Sequence, residues 1–140
     1  MILLYQPYYG RKGHFKQFFL RYSKILQNYN VSFVGIIGIQ NADEIPVNHS
    51  KNIEWFWNNA NNKYGEIINN WKGFRSIKEK LRKQSVTSIH FLDIEPSILA
   101  LFLITNKNLL ANVRIIIQLH SVNHYVETKS IWERIYRRVA

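Results

Sequence analysis

The sequence predicts an α/β protein built on a parallel sheet, and three observations support this fold class. Short apolar segments rich in β-branched residues recur along the 140-residue chain. Amphipathic segments, in which apolar residues are spaced three and four apart, lie between them. No internal repeat and no low-complexity linker interrupts this alternation. We expect a three-layer, Rossmann-like fold with helices on both faces of a sheet of about five strands.

The first half of the chain carries three predicted strands. Ile2–Tyr5 is short and apolar, and Val31–Gly38 is a continuous β-branched segment typical of a strand buried on both faces. Between them, His14–Tyr29 places apolar side chains at helical spacing and basic or amide side chains on the opposite side. Gln40–Ser50 is a polar loop that contains a proline, and Ile53–Trp57 is the third strand.

The second half predicts two more strands, each preceded by a helix. Apolar residues recur at helical spacing over residues 67–81, and the end of that helix is basic, with Lys78, Lys80, Arg82 and Lys83. Val86–Asp93 is the fourth strand. Pro96 suits the first turn of the next helix, and the apolar residues 97–104 indicate that this helix is buried. Val113–Leu119 is the fifth strand.

The last residues predict a further helix without a stop signal. Ser130 and Glu133 have the spacing of a capping box, and Arg137–Ala140 contains no glycine, proline or polar tail. We therefore expect residues 1–140 to form a single domain that is the N-terminal half of a longer protein. Right-handed crossovers favour the strand order 3-2-1-4-5.

Composition and charge narrow the class of protein. The hydrophobic fraction of 46% supports a packed core. The absence of cysteine excludes a disulfide scaffold and a cysteine nucleophile. The N-terminus lacks the features of a signal peptide, so we expect a cytoplasmic protein, either free or peripheral on the inner face of the cell membrane. The formal net charge of +10 favours an anionic partner: nucleic acid, an anionic lipid surface or a phosphorylated ligand.

A ligand site is expected at the carboxyl ends of the strands. Open parallel sheets bind ligands where the strand order reverses, which here lies between the first and fourth strands. The glycine-bearing turn after the first strand leads into a helix N-terminus, whose free N–H groups and positive dipole end attract phosphate. The loops after the first, fourth and fifth strands supply the candidate residues Gly10, Lys12, Gly13, His14, Asp93, Glu95, His120 and Ser121.

Each candidate also has a purely structural explanation. The two glycines suit turn geometry, His14 suits an exposed first helical position, and His120 suits a buried strand end. Asp93 and Glu95 flank a helix start, where carboxylates interact favourably with the helix dipole. Both explanations stay open at the level of the sequence.

Several well-known motifs are missing. There is no Gly-x-Gly-x-x-Gly, no phosphate loop that ends in Gly-Lys-Ser/Thr, and no Gly-x-Ser-x-Gly nucleophile elbow. His120 and His124 are four residues apart, but the segment between them has the composition of a loop, so a zinc site is not favoured. We predict neither a metal nor a cofactor.

Three segments together resemble the N-terminal domain of a GT-B glycosyltransferase: Gly10–Phe15, Ile89–Asp93 and Ile115–His120. The likeness is greatest to the group-one, retaining enzymes that build bacterial surface polysaccharides, and it covers nearly the whole chain in element order. It implies two Rossmann-like domains that face each other across a cleft. The N-terminal domain would receive the acceptor, and the C-terminal domain would hold the nucleotide-sugar donor. Gly10–His14 would approach the donor diphosphate and the acceptor, and His120 would lie beside the transferred sugar.

The chain departs from that family in two respects. Gly10 and Gly13 are separated rather than adjacent, and no two glutamates are separated by seven residues as in the family's C-terminal domain. The resemblance thus implies a hexosyltransferase-like enzyme that needs its second domain, and a fragment that is inactive alone. The full-length enzyme would transfer a sugar to a polysaccharide or lipid-linked glycan. His120 and His14 would be the catalytic residues of this domain; in an inverting enzyme, a base would come from His14 or the two carboxylates.

One further partner and one alternative function follow. Basic residues on the first two helices, with aromatic residues nearby, would dock on the anionic headgroups of a membrane that carries lipid-linked acceptors. No recognised motif supports a nucleic-acid partner. The alternative function is a stand-alone Rossmann-like module that binds a nucleotide or another phosphorylated ligand at Gly10–His14.

Overall fold

Five parallel strands form one sheet. The computed structural model describes residues 1–9, 15–45, 51–59 and 62–118. The strands are β1 (Ile2–Gln6), β2 (Phe33–Ile39), β3 (Ile53–Trp57), β4 (Ser88–Leu92) and β5 (Arg114–Gln118). Their order is β3-β2-β1-β4-β5, and every neighbouring pair is parallel. The predicted fold class and strand order are confirmed.

Helices connect most of the strands. They are α1 (Phe15–Asn28), α2 (Lys63–Lys83), α3 (Pro96–Thr105) and α4 (Lys107–Leu110), and a short 3-10 helix (Ala42–Glu44) lies in the predicted polar loop. Asn62 caps the start of α2, since its Oδ1 accepts a hydrogen bond of 2.8 Å from the N–H of Gly65. The last turn of α2 is basic, which suits the negative end of the helix dipole.

Helices pack on both faces of the sheet. On one face, α1 buries its apolar side against β1 and β2 in a cluster that includes Leu4, Phe19, Leu26, Phe33 and Ile37. On the other face, α2 and α3 pack in a cluster that includes Leu3, Tyr5, Phe74, Ile77, Phe91 and Phe102. The connections from β1 to β2 and from β4 to β5 lead away from the centre in opposite directions. Right-handed crossovers therefore place α1 and α3 on opposite faces.

β1 is the central strand. Ile2 aligns with Phe33 of β2 on one side and with Ser88 of β4 on the other. Leu3 and Leu4 point to opposite faces of the sheet, yet both are fully buried. Full burial of one such side chain contributes about 1.5–3 kcal/mol, so both faces of β1 stabilise the domain.

An aromatic cluster fills the core beneath α2. The ring of Tyr5 stacks on Phe56 with centroids 5.8 Å apart and lies 5.3 Å from Phe74. The Tyr5 hydroxyl donates a hydrogen bond of 2.6 Å to Asn70 Oδ1. Gly73 of α2 lies directly over these rings: a Cβ added there would be 2.6 Å from Tyr5 Cε2 and 2.8 Å from Phe56 Cε1. The glycine thus allows α2 to approach the sheet closely.

A polar contact ties the edge strand β3 to α2. Lys80 forms an ion pair with Oε1 of Glu54, and the Ser76 hydroxyl donates a hydrogen bond to Oε2. Burial alone would raise the pKa of Glu54, but the hydrogen bonds from Lys80 and Ser76 outweigh it and hold that pKa below its usual value. The folded state therefore favours the ionised carboxylate.

Several boundaries differ from the predicted ones for local reasons. β1 extends one residue further, to Gln6, and β2 begins at Phe33 rather than at Val31. Asn30 adopts a left-handed conformation (φ 53°), and the N–H of Val31 bonds back to the carbonyl of Leu26 at 2.9 Å, so both residues close α1. The short helix α4 was not predicted. The helix predicted after Ser130 lies outside the described residues.

Candidate functional site

The candidate site lies at the edge of the sheet where all five strands end, here called the carboxyl edge. Strand order reverses between β1 and β4. The chain leaves these two neighbours toward opposite faces, which opens a crevice between the loops that follow them. β1 ends at Gln6 and β4 at Leu92. A ligand in the crevice would contact the residues that follow these two strand ends.

The segment after β1 is fixed by contacts with β2 and β3. The N–H of Tyr9 bonds to the carbonyl of Gly38 at 3.0 Å. A Cβ at Gly38 would be 2.3 Å from the carbonyl oxygen of Pro7, so only glycine permits this close approach. The side-chain amide of Asn58, just beyond β3, donates a hydrogen bond of 2.5 Å to the same Pro7 oxygen. The backbone leading into the predicted glycine loop is therefore firmly positioned.

Tyr9 anchors this segment to the α1 side of the core. Its ring packs edge-to-face on Phe19 at 6.0 Å and on Trp55 at 5.4 Å, measured between centroids. The ammonium group of Lys16 lies 5.8 Å from the centroid of the Tyr9 ring. Burial, and to a smaller extent the charge of Glu44, raises the pKa of Tyr9, so its hydroxyl stays protonated at neutral pH.

Asn58 is a buried polar residue that lies just beyond β3 and was not among the predicted site residues. It is 3% exposed. Its Nδ2 must face Pro7, because a carbonyl oxygen only accepts hydrogen bonds. Its Oδ1 is then left buried and, among the described residues, has no hydrogen-bond partner. Because residues 58–62 are rich in asparagine, nothing in the sequence marks Asn58 as the buried one.

Gln6 is a second buried polar residue that was missed. It ends β1 at the reversal point and is fully buried. Side chains alternate along a strand, so Gln6 shares the α1 face with Leu4. The apolar sequence before it predicts a strand, and the amide at its end is the signal that a polar group lies at the crevice.

The loop after β4 carries the two candidates that the structure describes. Asp93 adopts a left-handed conformation (φ 61°), which is rare for residues other than glycine and clusters at functional sites. Its N–H bonds to the carbonyl of Gln118 at 2.9 Å, which continues the ladder between β4 and β5. The next residue, Ile94, is fully buried. The turn at Asp93 thereby holds its backbone at the mouth of the crevice.

Glu95 caps α3. Its Oε2 accepts a hydrogen bond of 3.0 Å from the N–H of Ile98 and another from the hydroxyl of Ser97. This geometry matches the structural explanation weighed above, in which the carboxylate interacts with the helix start. One oxygen of Glu95 is thus engaged by α3.

The other predicted site residues lie outside the described residues. They are Gly10, Lys12, Gly13, His14, His120 and Ser121. The structure does place the ends of the described segments that flank them, Tyr9 after β1 and Gln118 at the end of β5, at the carboxyl edge. Their roles stay predictions.

A polar chain lies on the α1 face, within the sheet rather than at its carboxyl edge. His90 of β4 shares a hydrogen bond with the hydroxyl of Tyr22 through Nδ1 and another with the hydroxyl of Ser88 through Nε2, at 3.1 Å. Burial lowers the pKa of His90, so the imidazole is neutral at pH 7. Both ring nitrogens are satisfied, which supports the structural role that a histidine in mid-strand suggests.

The described segments contain neither a metal-binding cluster nor a membrane-spanning helix. No three His, Asp or Glu side chains there are grouped so that they could hold a metal ion. None of the helices in that part of the chain combines the length and the apolar character needed to cross a bilayer. Comparisons of the chain with protein-family models, with curated proteins and with solved structures give no match.

Proposed function

We propose that this chain is the acceptor-side domain of a glycosyltransferase that takes its sugar from a nucleotide-sugar donor. The observation that carries the proposal is the set of polar groups at the carboxyl edge of an all-parallel sheet: Gln6 and Asp93 at the ends of the two strands that flank the reversal point, and Asn58 beyond β3. Ligands of open α/β sheets bind at this point. Amides and carboxylates there suit a ligand that carries many hydroxyl groups.

The chemistry of sugar transfer assigns a task to each region. Positive charge builds up on the transferred sugar and negative charge on the leaving diphosphate. The start of α1, with Gly13 and His14 before it, would stabilise the diphosphate through backbone N–H groups. His120 would hydrogen-bond a hydroxyl of the transferred sugar, and the carboxylate of Asp93 would orient the acceptor. The donor would be held mainly by a second domain, so this chain alone would be inactive.

The test is a binding comparison on the isolated chain. Calorimetric titration with a panel of oligosaccharides and with nucleotide-sugars is expected to give binding of a glycan that Asp93→Asn weakens about tenfold or more, because a hydrogen bond to a charged group is worth about 1.5–3 kcal/mol. Asparagine tolerates the left-handed backbone, so the variant keeps the turn. Glu79→Gln, which removes a distant exposed carboxylate from α2, serves as the control.

Two results would contradict the proposal. Tight binding of nucleoside diphosphates with no affinity for any glycan would favour the stand-alone nucleotide module instead. A gene that stops after Ala140 would also speak against it, since the proposal expects the reading frame to continue into a second α/β domain. That domain should contain two glutamates separated by seven residues.

An anionic membrane surface is the partner proposed for the same enzyme. α1 and α2 lie on opposite faces of the sheet, so a flat bilayer contacts only one of them. α2 is the better candidate, because Tyr64, Ile68 and Trp71 form an exposed apolar stripe along it, with Lys72 beside them. Co-sedimentation with vesicles should increase with the fraction of anionic lipid and should fall for Ile68→Glu. Binding that depends neither on the fraction of anionic lipid nor on the Ile68→Glu substitution would refute a membrane contact through α2.

A further inference from the structure

A groove of about 420 Å³ lies between α2 and α3, away from the carboxyl edge. α2 begins after β3, at the carboxyl edge, and ends before β4, at the opposite edge. The groove is lined by Trp71 and later residues of α2 and by Phe102 and Asn106 at the end of α3. It is thus separate from the crevice at the reversal point, and none of the predicted site residues lines it.

One wall of the groove is aromatic. Phe74 and Phe102 stack with centroids 4.3 Å apart, and Trp71 meets Phe74 edge-on at 6.0 Å. Phe74 and Phe102 are buried, whereas Trp71 is 44% exposed. The indole of Trp71 therefore offers a flat apolar surface to a ligand, and the two phenylalanines hold it in place.

The other wall is cationic. Arg75, Lys78 and Arg82 are spaced three and four residues apart, so they lie on the same side of α2 as Trp71. Glu79 also lines the groove, with 3.8 Å between its Oε1 and Nε of Arg75, and both side chains are largely exposed. Within the described residues, Lys78 and Arg82 have no acidic partner. Like charges on adjacent turns repel each other, and a bound anion would relieve that repulsion.

Lys78 and Arg82 differ in this respect from a neighbouring cation of α2 that packs against the sheet. Lys80, on another side of the same helix, has an acidic partner in Glu54. Thus Lys80, on the side of α2 that contacts the sheet, has an acidic partner. Lys78 and Arg82, which line the groove, have none among the described residues.

From these features we infer that the groove binds a phosphate ester, with the phosphate on Lys78 and Arg82 and the organic part against Trp71. The planar guanidinium of Arg82 matches phosphate geometry, and a neighbouring ammonium adds a point charge that suits a doubly charged anion. The volume lies in the range of small-molecule sites. The organic part is a nucleoside or the apolar part of a lipid phosphate, since both present a surface that packs on an indole. This inference does not depend on sugar transfer at the carboxyl edge.

The experiment compares two charge-reversed variants of the whole 140-residue chain. Lys78→Glu/Arg82→Glu removes the groove cations, and Arg21→Glu/Lys24→Glu changes the net charge equally on exposed residues of α1, on the opposite face of the sheet. Calorimetry at moderate salt uses three probes: inorganic phosphate, adenosine monophosphate and monomeric dihexanoyl phosphatidylglycerol. We expect one of the organic phosphates to bind, and the groove variant to weaken it about ten- to hundredfold, the factor that a hydrogen bond to a charged group contributes. The control variant should change the affinity by less than about threefold, because exposed charges are screened by salt.

A second variant isolates the aromatic wall. Trp71→Leu should weaken the organic probe and leave inorganic phosphate unchanged. Binding of the nucleotide alone would identify a nucleoside phosphate as the ligand class, and binding of the lipid alone a lipid phosphate. The inference is wrong if no probe binds, if both charge-reversed variants lose affinity equally, or if inorganic phosphate binds as tightly as the organic probes. Melting curves establish that each variant is folded, and Lys78→Gln/Arg82→Gln replaces the groove variant if it is not.

Discussion

Replacing Gly38 with alanine is expected to destabilise the domain by displacing the segment that leads into the candidate site. The added Cβ would lie 2.3 Å from the carbonyl oxygen and 2.8 Å from the carbonyl carbon of Pro7. The backbone of Pro7 would have to retreat by roughly 0.7 Å before the shorter contact reached 3.0 Å. That oxygen also accepts a hydrogen bond from Asn58, and the N–H of Tyr9 bonds to the carbonyl of Gly38 itself. The retreat would strain both bonds.

The magnitude follows from these contacts. Overpacking a tight site costs about 1–3 kcal/mol, and each strained hydrogen bond adds about 1 kcal/mol. Alanine is intrinsically more favourable than glycine in a strand by about 0.5–1 kcal/mol, which offsets part of this loss of stability. The net loss in the free energy of unfolding is about 2–4.5 kcal/mol. For a domain of this size, that loss lowers Tm by about 6–18 °C.

Gly35→Ala on the same strand is the matched control. Its Cβ would lie 2.9 Å from Cζ of Phe19, the tip of a side chain rather than backbone. The ring can shift slightly, so we expect a loss of about 1 kcal/mol or less. Urea unfolding of both variants, followed by circular dichroism, provides the comparison. Equal destabilisation of the two variants, or a more stable Gly38→Ala protein, would refute the reasoning.

Four further predictions concern packing, hydrogen bonding and pH. Gly73→Ala should lower Tm, because the added Cβ would lie 2.8 Å from Phe56 Cε1. Helix propensity alone favours alanine by about 1 kcal/mol, so a rise in Tm would show that the aromatic rings move to accommodate the Cβ. The folded pKa of Glu54 lies below its unfolded value of about 4.3, so its contribution to the stability of the domain is present above about pH 5 and is lost as the pH falls. The difference in unfolding free energy between wild type and Glu54→Gln should therefore shrink in acid. A difference that stays constant with pH would contradict this. The folded pKa of His90 also lies below its unfolded value of about 6.5, so protonation of the unfolded state should reduce stability as the pH falls below about 6.5, a slope that His90→Asn should lack. Tyr22→Phe leaves Nδ1 of that imidazole without its hydroxyl partner and should cost about 1–3 kcal/mol at pH 7, which thermal melts would measure.

The sequence predicted the sheet well because the strands are nearly all apolar. Two faces covered by helices require continuous apolar segments, and Ile53–Trp57 was predicted with the same limits that the structure has. The ends were less predictable. The start of β2 depended on Asn30, whose left-handed turn is a property of backbone geometry rather than of hydrophobic pattern.

The candidate site was predictable as a place and less so as a set of side chains. The topology put the loop after β4 at the reversal point, and Asp93 lies there. Gln6 and Asn58 were missed because burial of a single amide leaves no periodic trace in a sequence. The position of Asn58 depends on a contact between residues about fifty positions apart, its hydrogen bond to Pro7.

The central position of β1 has a consequence for the newly made chain. Ile2 pairs with Phe33 and also with Ser88, 86 positions later. At a synthesis rate of about 5–20 residues per second, one edge of β1 stays unpaired for roughly 4–17 s after β1 has been synthesised, until β4 has been synthesised. During that time an apolar strand presents unpaired backbone groups to any extended segment that it meets. The same strand that organises the finished sheet is therefore the segment most exposed to aggregation during synthesis.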